Sequence, residues 1–264
     1  MAAVRVSREL GAPVRRRELQ YGSPRFRAAS DWARGLPASP GAAVVLASLA
    51  RHPPVLRDLA AVWRLPVAEL RLRTADADAW WFAHWFTRRR RLAWAVLDLP
   101  AAQDRYLVGR RRQALRTNLR HGRAAGVTSA RVAYEEWFEA VSTVLQARDD
   151  KPGPEQDPPP PGRRVAYYVA RDAAAEPLAF AGAALLGQFA VLFALVNRPD
   201  RHPDSSWARY QLHTLLAVDL GSAGVEYLLT GSALREPAGT QYFQHLLGYQ
   251  ARNLRLTVVD PRGS

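Results

Sequence analysis

Whatever this chain folds into must bury the stretch from Leu178 to Val196, LAFAGAALLGQFAVLFALV, in which Gln188 is the only strongly polar side chain. An apolar run of that length is about what an α-helix needs to cross a bilayer, roughly 20 residues. Gly187-Gln188 at its centre argues for another solution. The pair has the composition of a two-residue hairpin turn, and the halves on either side read as strands buried on both faces. Tyr167-Tyr168 begins a further strand just before them. The run is therefore read as part of a sheet, and no membrane span is expected.

The elements around it alternate in type. Arg164 to Ala170, Leu178 to Leu186 and Phe189 to Val196 read as a three-strand meander. A helix capped by Ser205 or Ser206 then carries Trp207, Tyr210, Leu212, Leu215, Leu216 and Leu220, and ends near Gly221 to Gly224. Val225 to Leu229 follows as a strand, Thr240 to Leu247 as a short helix stopped by Gly248, and Leu254 to Val259 as a last strand. From Arg163 to Val259 the chain thus has the pattern of an α/β domain.

Upstream, Tyr106 to Ala125 reads as a helix ended at Gly126. Val108, Leu115 and Leu119 share one of its faces, and Arg112, Arg116, Arg120 and Arg123 form a stripe beside it. Such a stripe grips phosphates or simply faces solvent. A second amphipathic helix, Tyr134 to Arg148, places Trp137, Val141 and Val144 together, and residues 149–162, with Pro158 to Pro161 consecutive, form a stiff polar surface loop. Leu92 to Leu99 reads as a strand. Residues 41–91 read as a helical or α+β part: helices at 41–49 and 54–63, a short strand around Leu70 and Leu72, and a helix bearing Trp80, Trp81, Phe82, Trp85 and Phe86. Those aromatics suit core packing, and also the lining of an acyl or nucleobase pocket. Residues 1–40 are basic and rich in Pro, Gly and Ser, the composition of a mobile segment. The organisation expected is 1–40, then 41–91, then a main domain over 92–264.

Charge narrows the partners less than its size suggests. The 264 residues carry a formal charge of +13, nearly all of it guanidinium, since Lys151 is the only lysine. Arginine suits bidentate contacts to carboxylate or phosphate, yet an Ala-, Arg- and Pro-rich chain also carries arginine through coding bias. There is no cysteine, which excludes disulfides, thiolate metal sites and a catalytic thiol, and fits a cytoplasmic setting. The N-terminus has arginines but no apolar core of a secretory signal. No nucleophile elbow, Walker loop, dinucleotide fingerprint or zincin motif occurs, and the six histidines are dispersed, so no metal is expected.

Three stretches in order, RYLVGRRRQALRTNLRHGRAAGV (Arg105 to Val127), SSWARYQLHTLLAVDLGSAGVEYLLTGS (Ser205 to Ser232) and GTQYFQHLLGYQ (Gly239 to Gln250), resemble the GNAT superfamily of N-acyltransferases and its FemAB-like branch. The resemblance spans Leu92 to Val259. It implies a mixed, mostly antiparallel sheet flanked by helices, to which residues 1–91 add a further α/β segment, either a degenerate GNAT-like half or an accessory lid. The implied chemistry is attack by an amine on an activated acyl group, delivered as acyl-coenzyme A or as aminoacyl-tRNA. The donor's arm would lie along Leu195, Val196 and Asn197, and its pyrophosphate would face the helix start at Ser205 and Ser206, with Arg209 adding charge. The sequence departs from the pattern in two places. NRPDRHPDSS, from Asn197 to Ser206, lacks the glycine-rich turn, and Gln244 stands where classical members carry a tyrosine. Tyr242 and His245 beside it are the candidate proton carriers, Ser232 a candidate for orienting the amine or a turn residue, and His213 a further histidine of suitable intrinsic pKa. Glu226 reads as a surface acid.

The leading functional reading is an N-acyltransferase acting on an amine of unknown class. The alternatives are a nucleic-acid-binding module that uses Arg112, Arg116, Arg120 and Arg123 on tRNA or another polyanion, and a catalytically inactive GNAT-like partner protein.

Overall fold

The apolar run folds as a hairpin of two strands, Pro177–Leu186 and Phe189–Asn197, with Leu186 opposite Phe189. Gly187 takes φ of 70°, the conformation a two-residue turn asks of its first central residue and one that glycine adopts without steric cost. Both faces of the hairpin are covered, which is why the run is almost continuously apolar. Ala179, Ala181, Ala183, Ala190 and Leu192 face one core, and Phe180, Ala184, Phe193, Ala194 and Val196 face another.

The computed structural model describes residues 24–35, 65–73, 93–99, 106–147, 164–199 and 203–259. In chain order the described elements are α1 (Pro24–Arg34), β1 (Val67–Arg73), β2 (Trp94–Asp98), α2 (Gln113–Ala124), β3 (Thr128–Val132), α3 (Tyr134–Gln146), β4 (Val165–Arg171), β5 (Pro177–Leu186), β6 (Phe189–Asn197), α4 (Pro203–Ser222), β7 (Tyr227–Ser232), α5 (Ala238–Leu247) and β8 (Gln250–Val259). The strands form one eight-stranded sheet in the order β1-β8-β2-β7-β6-β5-β4-β3. Its pairs are antiparallel except β1 with β8 and β6 with β7, where α4 makes the crossover, so the sheet is mixed and mostly antiparallel, as expected. α3 covers one face through Trp137, Ala140 and Val144; α1, α2, α4 and α5 enclose the larger core on the other.

Several elements differ from expectation for local reasons. α2 starts at Gln113 instead of Tyr106, because Gly109 at φ 98° interrupts the helix and a single 3₁₀ turn, Arg110–Arg112, leads into it. Tyr106 is anchored separately: it is buried and its hydroxyl donates to the Leu247 carbonyl at 3.2 Å. β3, TSARV, escapes a reading by hydrophobicity because it is an edge strand with mostly exposed side chains, paired only to β4. α4 begins at Pro203, a residue well suited to a first turn. Val225 belongs to the tight turn after it, its N–H bonded to the Leu220 carbonyl, so β7 starts later and runs to Ser232.

Within residues 1–40, α1 is packed into the main core, with Phe26 and Ala29 fully buried. Its Ser30 hydroxyl donates to the Leu234 carbonyl at 2.5 Å and accepts from Gln241 Nε2 at 2.5 Å. The expected helices at 41–49 and 54–63, the aromatic helix around Trp80 to Phe86 and the proline-rich loop 149–162 lie outside the described residues.

Candidate functional site

The site originates in a strand irregularity. β6 and β7 pair in parallel only over Phe189–Val191 with Tyr227–Leu229. On the other edge of β6 the register against β5 shifts between Gly182, opposite Ala194, and Ala183, opposite Leu192, which leaves Phe193 as an extra residue. A bulge of this kind bends the strand and increases its twist, and beyond it β6 no longer pairs with β7. Gly182 makes room for it, since a Cβ there would overlap the Phe193 ring.

The gap that opens is a cleft of about 200 Å³. Leu192 to Val196 form one wall, Thr230 and Gly231 the other, and Arg209, His213, Thr240, Phe243, Gln244 and Tyr249 close it from the helical side. Glu236 stands in the same lining. Among the described residues the β7-facing backbone of Leu192 to Val196 has no ladder partners, so a donor's amide groups have N–H and C=O groups to pair with.

Two residues one turn apart on α4 set the electrostatics. His213 is fully buried, and its Nε2 lies 2.8 Å from the Tyr249 hydroxyl. Burial pushes its pKa down to about 3, with Arg112 and Arg209 adding repulsion, so the imidazole is neutral at ordinary pH. Its Nδ1 has no hydrogen-bond partner among the described residues. Arg209 lays its guanidinium over the Phe243 ring at 4.0 Å, and its Nε is also buried without a partner. Burial lowers the Arg209 pKa, opposed by the neighbouring Tyr210 hydroxyl, and burial raises that of Tyr210. Among the described residues, no group of three or more His, Asp or Glu side chains is placed to hold a metal ion.

Of the expected donor-binding residues, Leu195, Val196 and Arg209 line the cleft. Asn197 ends β6 opposite Ala179, outside the lining. Ser205 and Ser206 lie inside the first turns of α4 and not ahead of it, Ser205 buried and Ser206 exposed, while Asp204 puts an acid at the helix start. The expected proton carriers do not meet the cleft. Tyr242 is 62% exposed on the outer side of α5, and His245 is exposed as well. Ser232 is buried at the end of β7, where its hydroxyl accepts the Arg235 N–H at 3.3 Å, the turn role that sequence left open. Glu226 is exposed beside the hairpin turn and accepts from Gln188 Nε2 at 3.3 Å.

The arginine stripe divides in two. Arg112 donates to the Leu246 carbonyl at 3.0 Å and covers the Tyr106 ring at 4.9 Å, while Arg116 donates to the carbonyls of Leu107 and Gly109 at 2.6 and 3.0 Å. Arg120 and Arg123 are exposed. Sequence reasoning did not single out the cleft residues Thr230, Thr240, Glu236 and Tyr249; Thr230, Thr240 and Tyr249 lie inside the resembling stretches without a role assigned to them. The legible signal was the spacing of Arg209 and His213, which puts both on one face of a helix.

No family model matches the sequence, and no curated protein matches it. Among solved structures, the C-terminal domain of a putative lysylphosphatidylglycerol synthetase from Agrobacterium fabrum is similar over 61% of this chain and 57% of its own, at 16% identity and a TM-score of 0.46. L-PGS from Bacillus licheniformis is similar over 61% of this chain and 59% of its own, at 13% identity and a TM-score of 0.44. A GCN5-related N-acetyltransferase from Kribbella flavida aligns over 48% of each chain, at 18% identity and a TM-score of 0.32. The matched part of this chain therefore spans less than two thirds of each of these proteins.

Proposed function

We propose that this chain is an N-acyltransferase whose donor lies in the gap between β6 and β7. The observation that carries the reading is the divergence of two parallel strands at the Phe193 bulge. It leaves a strand edge without ladder partners along the cleft, and an extended arm with alternating amides is the kind of ligand that satisfies such an edge. Backbone N–H groups at the bend are fixed donors for a carbonyl oxygen that gains charge as an amine attacks. The sequence resemblance to the GNAT superfamily supplies the two donor classes, acyl-coenzyme A and aminoacyl-tRNA.

His213 is too weak a base to take the amine's proton near neutral pH, because burial holds it neutral down to about pH 3. Its contribution is a fixed hydrogen bond to the Tyr249 hydroxyl, the phenol that reaches the cleft in place of the exposed Tyr242. The nucleic-acid-binding alternative keeps Arg120 and Arg123, while Arg112 and Arg116 are engaged with backbone carbonyls. Exposed arginines on α2 are also consistent with a tRNA-borne donor.

Calorimetric titration of the full chain with acetyl-coenzyme A, and with an aminoacylated tRNA at two salt concentrations, tests the reading. At least one acyl donor is expected to bind, and Thr230→Trp, which fills the cleft from the β7 side, is expected to weaken it tenfold or more. A folded protein that binds neither donor refutes the enzyme. Binding that falls steeply with salt and ignores the tryptophan points instead to a nucleic-acid-binding module.

A further inference from the structure

The cleft contains a feature that an acyl slot alone does not need. Arg209 and His213 stand four residues apart on one face of α4, both line the cleft, and each has a buried side-chain nitrogen with no partner: Nε of Arg209 and Nδ1 of His213. Burying a polar N–H without an acceptor is costly, and native structures seldom leave it so. Here it occurs twice within one helical turn. When the Tyr249 hydroxyl donates to Nε2, the His213 proton resides on Nδ1 and both orphan nitrogens are donors.

The cleft lining includes one acid, Glu236, while the charged groups that act on His213 are cationic. Arg209 and Arg112 both act electrostatically on His213, and the groups acting on Arg209 are the Tyr210 hydroxyl and burial, with no carboxylate among them. Phe243, under the guanidinium, holds its plane in place and supplies an apolar floor. Two N–H donors on one helix face, two guanidinium groups acting nearby and a flat apolar support complement a planar anion with two oxygens.

We propose that the cleft contains a carboxylate subsite formed by Arg209 and His213, so that one of its ligands is an acid: either an acyl group ending in a second carboxylate or an amine acceptor with a free carboxylate, as in an α-amino acid. The inference rests on the cleft being the substrate site proposed above, and goes beyond it by naming the group the ligand carries. The subsite is separate from the α4 start at Pro203, where Asp204 lies.

Two matched pairs of probes test it on the full chain: succinyl- against acetyl-coenzyme A, and L-alanine against L-alaninamide, titrated calorimetrically. In one pair the carboxylate-bearing member is expected to bind about tenfold or more tightly, the size of a charge-assisted hydrogen bond. The succinyl arm identifies the donor as the acid, and the alanine arm the acceptor. Arg209→Gln is expected to abolish the difference between the members of the pair; His213→Gln, which retains a buried polar side chain, is expected to reduce it. Thermal unfolding of each variant confirms that it folds. The proposal is overturned if neither pair discriminates, if discrimination survives Arg209→Gln, or if Arg209→Gln weakens acetyl-coenzyme A as much as succinyl-coenzyme A, since the arginine would then read the donor's phosphates. Tight acetyl-coenzyme A binding without discrimination sinks the subsite alone; no binding of any probe sinks the subsite, and the enzyme reading falls with it when the aminoacylated tRNA also fails to bind.

Discussion

Gly182→Ala tests whether the cleft depends on the bulge. The added methyl would lie 2.7 Å from Phe193 Cε2 and 3.0 Å from Cε1, well inside van der Waals contact. Gly182 does not have a positive φ, so its backbone accepts alanine, and loss of chain entropy in the unfolded state favours the variant by about 0.4–1 kcal/mol. Against this stands overpacking of a closed core, about 1–3 kcal/mol. Phe193 is 6% exposed and has Trp137 edge-on at 6.3 Å, so it cannot retreat toward α3. Its free side is the cleft. The net expectation is destabilisation of about 1–2 kcal/mol, a fall in Tm of about 2–8 °C at the size-dependent rate for such domains. The same ring movement should weaken donor binding. Urea denaturation followed by tryptophan fluorescence measures the first effect and calorimetry the second. The decisive control is Phe193→Leu, which removes the ring: on that background Gly182→Ala should be neutral or stabilising, giving a coupling of about 1 kcal/mol or more. An equal cost on both backgrounds would show that the glycine and the bulge are unrelated.

Stability should fall in mild acid because of His213. Its proton affinity is depressed in the folded state, where Arg112, Arg209 and Tyr249 surround it, so below about pH 6.5 the unfolded chain binds a proton that the folded one refuses. Its contribution is therefore complete above pH 6.5 and is lost as pH falls toward 3, at up to about 1.4 kcal/mol per pH unit. His213→Gln should flatten that slope in urea titrations between pH 7 and 4; an unchanged slope would place its origin elsewhere. Arg112→Ala should cost about 2–3 kcal/mol, since it removes a charge-assisted bond to the Leu246 carbonyl and the cover on Tyr106. Arg120→Ala, on an exposed site, should stay within about 0.5 kcal/mol. Equal costs for the two in chemical denaturation would return Arg112 to the surface stripe.

What the sequence discloses here is what depends on neighbours along the chain. The hairpin at Gly187-Gln188, the crossover helix and the stop at Gly248 are local signals, and each stands where its residues put it; Gly248 indeed adopts φ of 85°. The cleft is a different matter. The bulge depends on Gly182 and Phe193, residues on separate strands, and no periodicity marks a register shift. Tyr242 and His245 were drawn in by their place near Gln244, but they project from the far side of α5, whereas Phe243 and Gln244 face inward. Arg112 and Arg116 look like surface charge because a helical wheel shows direction and not the carbonyls beyond the helix end. β3 was missed because an edge strand with one partner has little to bury.

α1 and β1 belong to the part of the chain with the least recognisable sequence, yet neither can be shed. Ser30 is a buried hydrogen-bond partner of Gln241, and β1 covers the edge of β8 from Asn253 to Val259. Remove the residues before 92 and the remainder loses the Ser30 partner of Gln241, which keeps the Ala233 and Leu234 carbonyls, and has a long unpaired strand edge, a template for joining a second copy. The natural unit of inheritance is therefore larger than the resemblance suggests. Drift in the early residues is constrained through the solubility of the later ones, and a fragment cut at the resemblance boundary would more readily yield aggregates than a minimal enzyme.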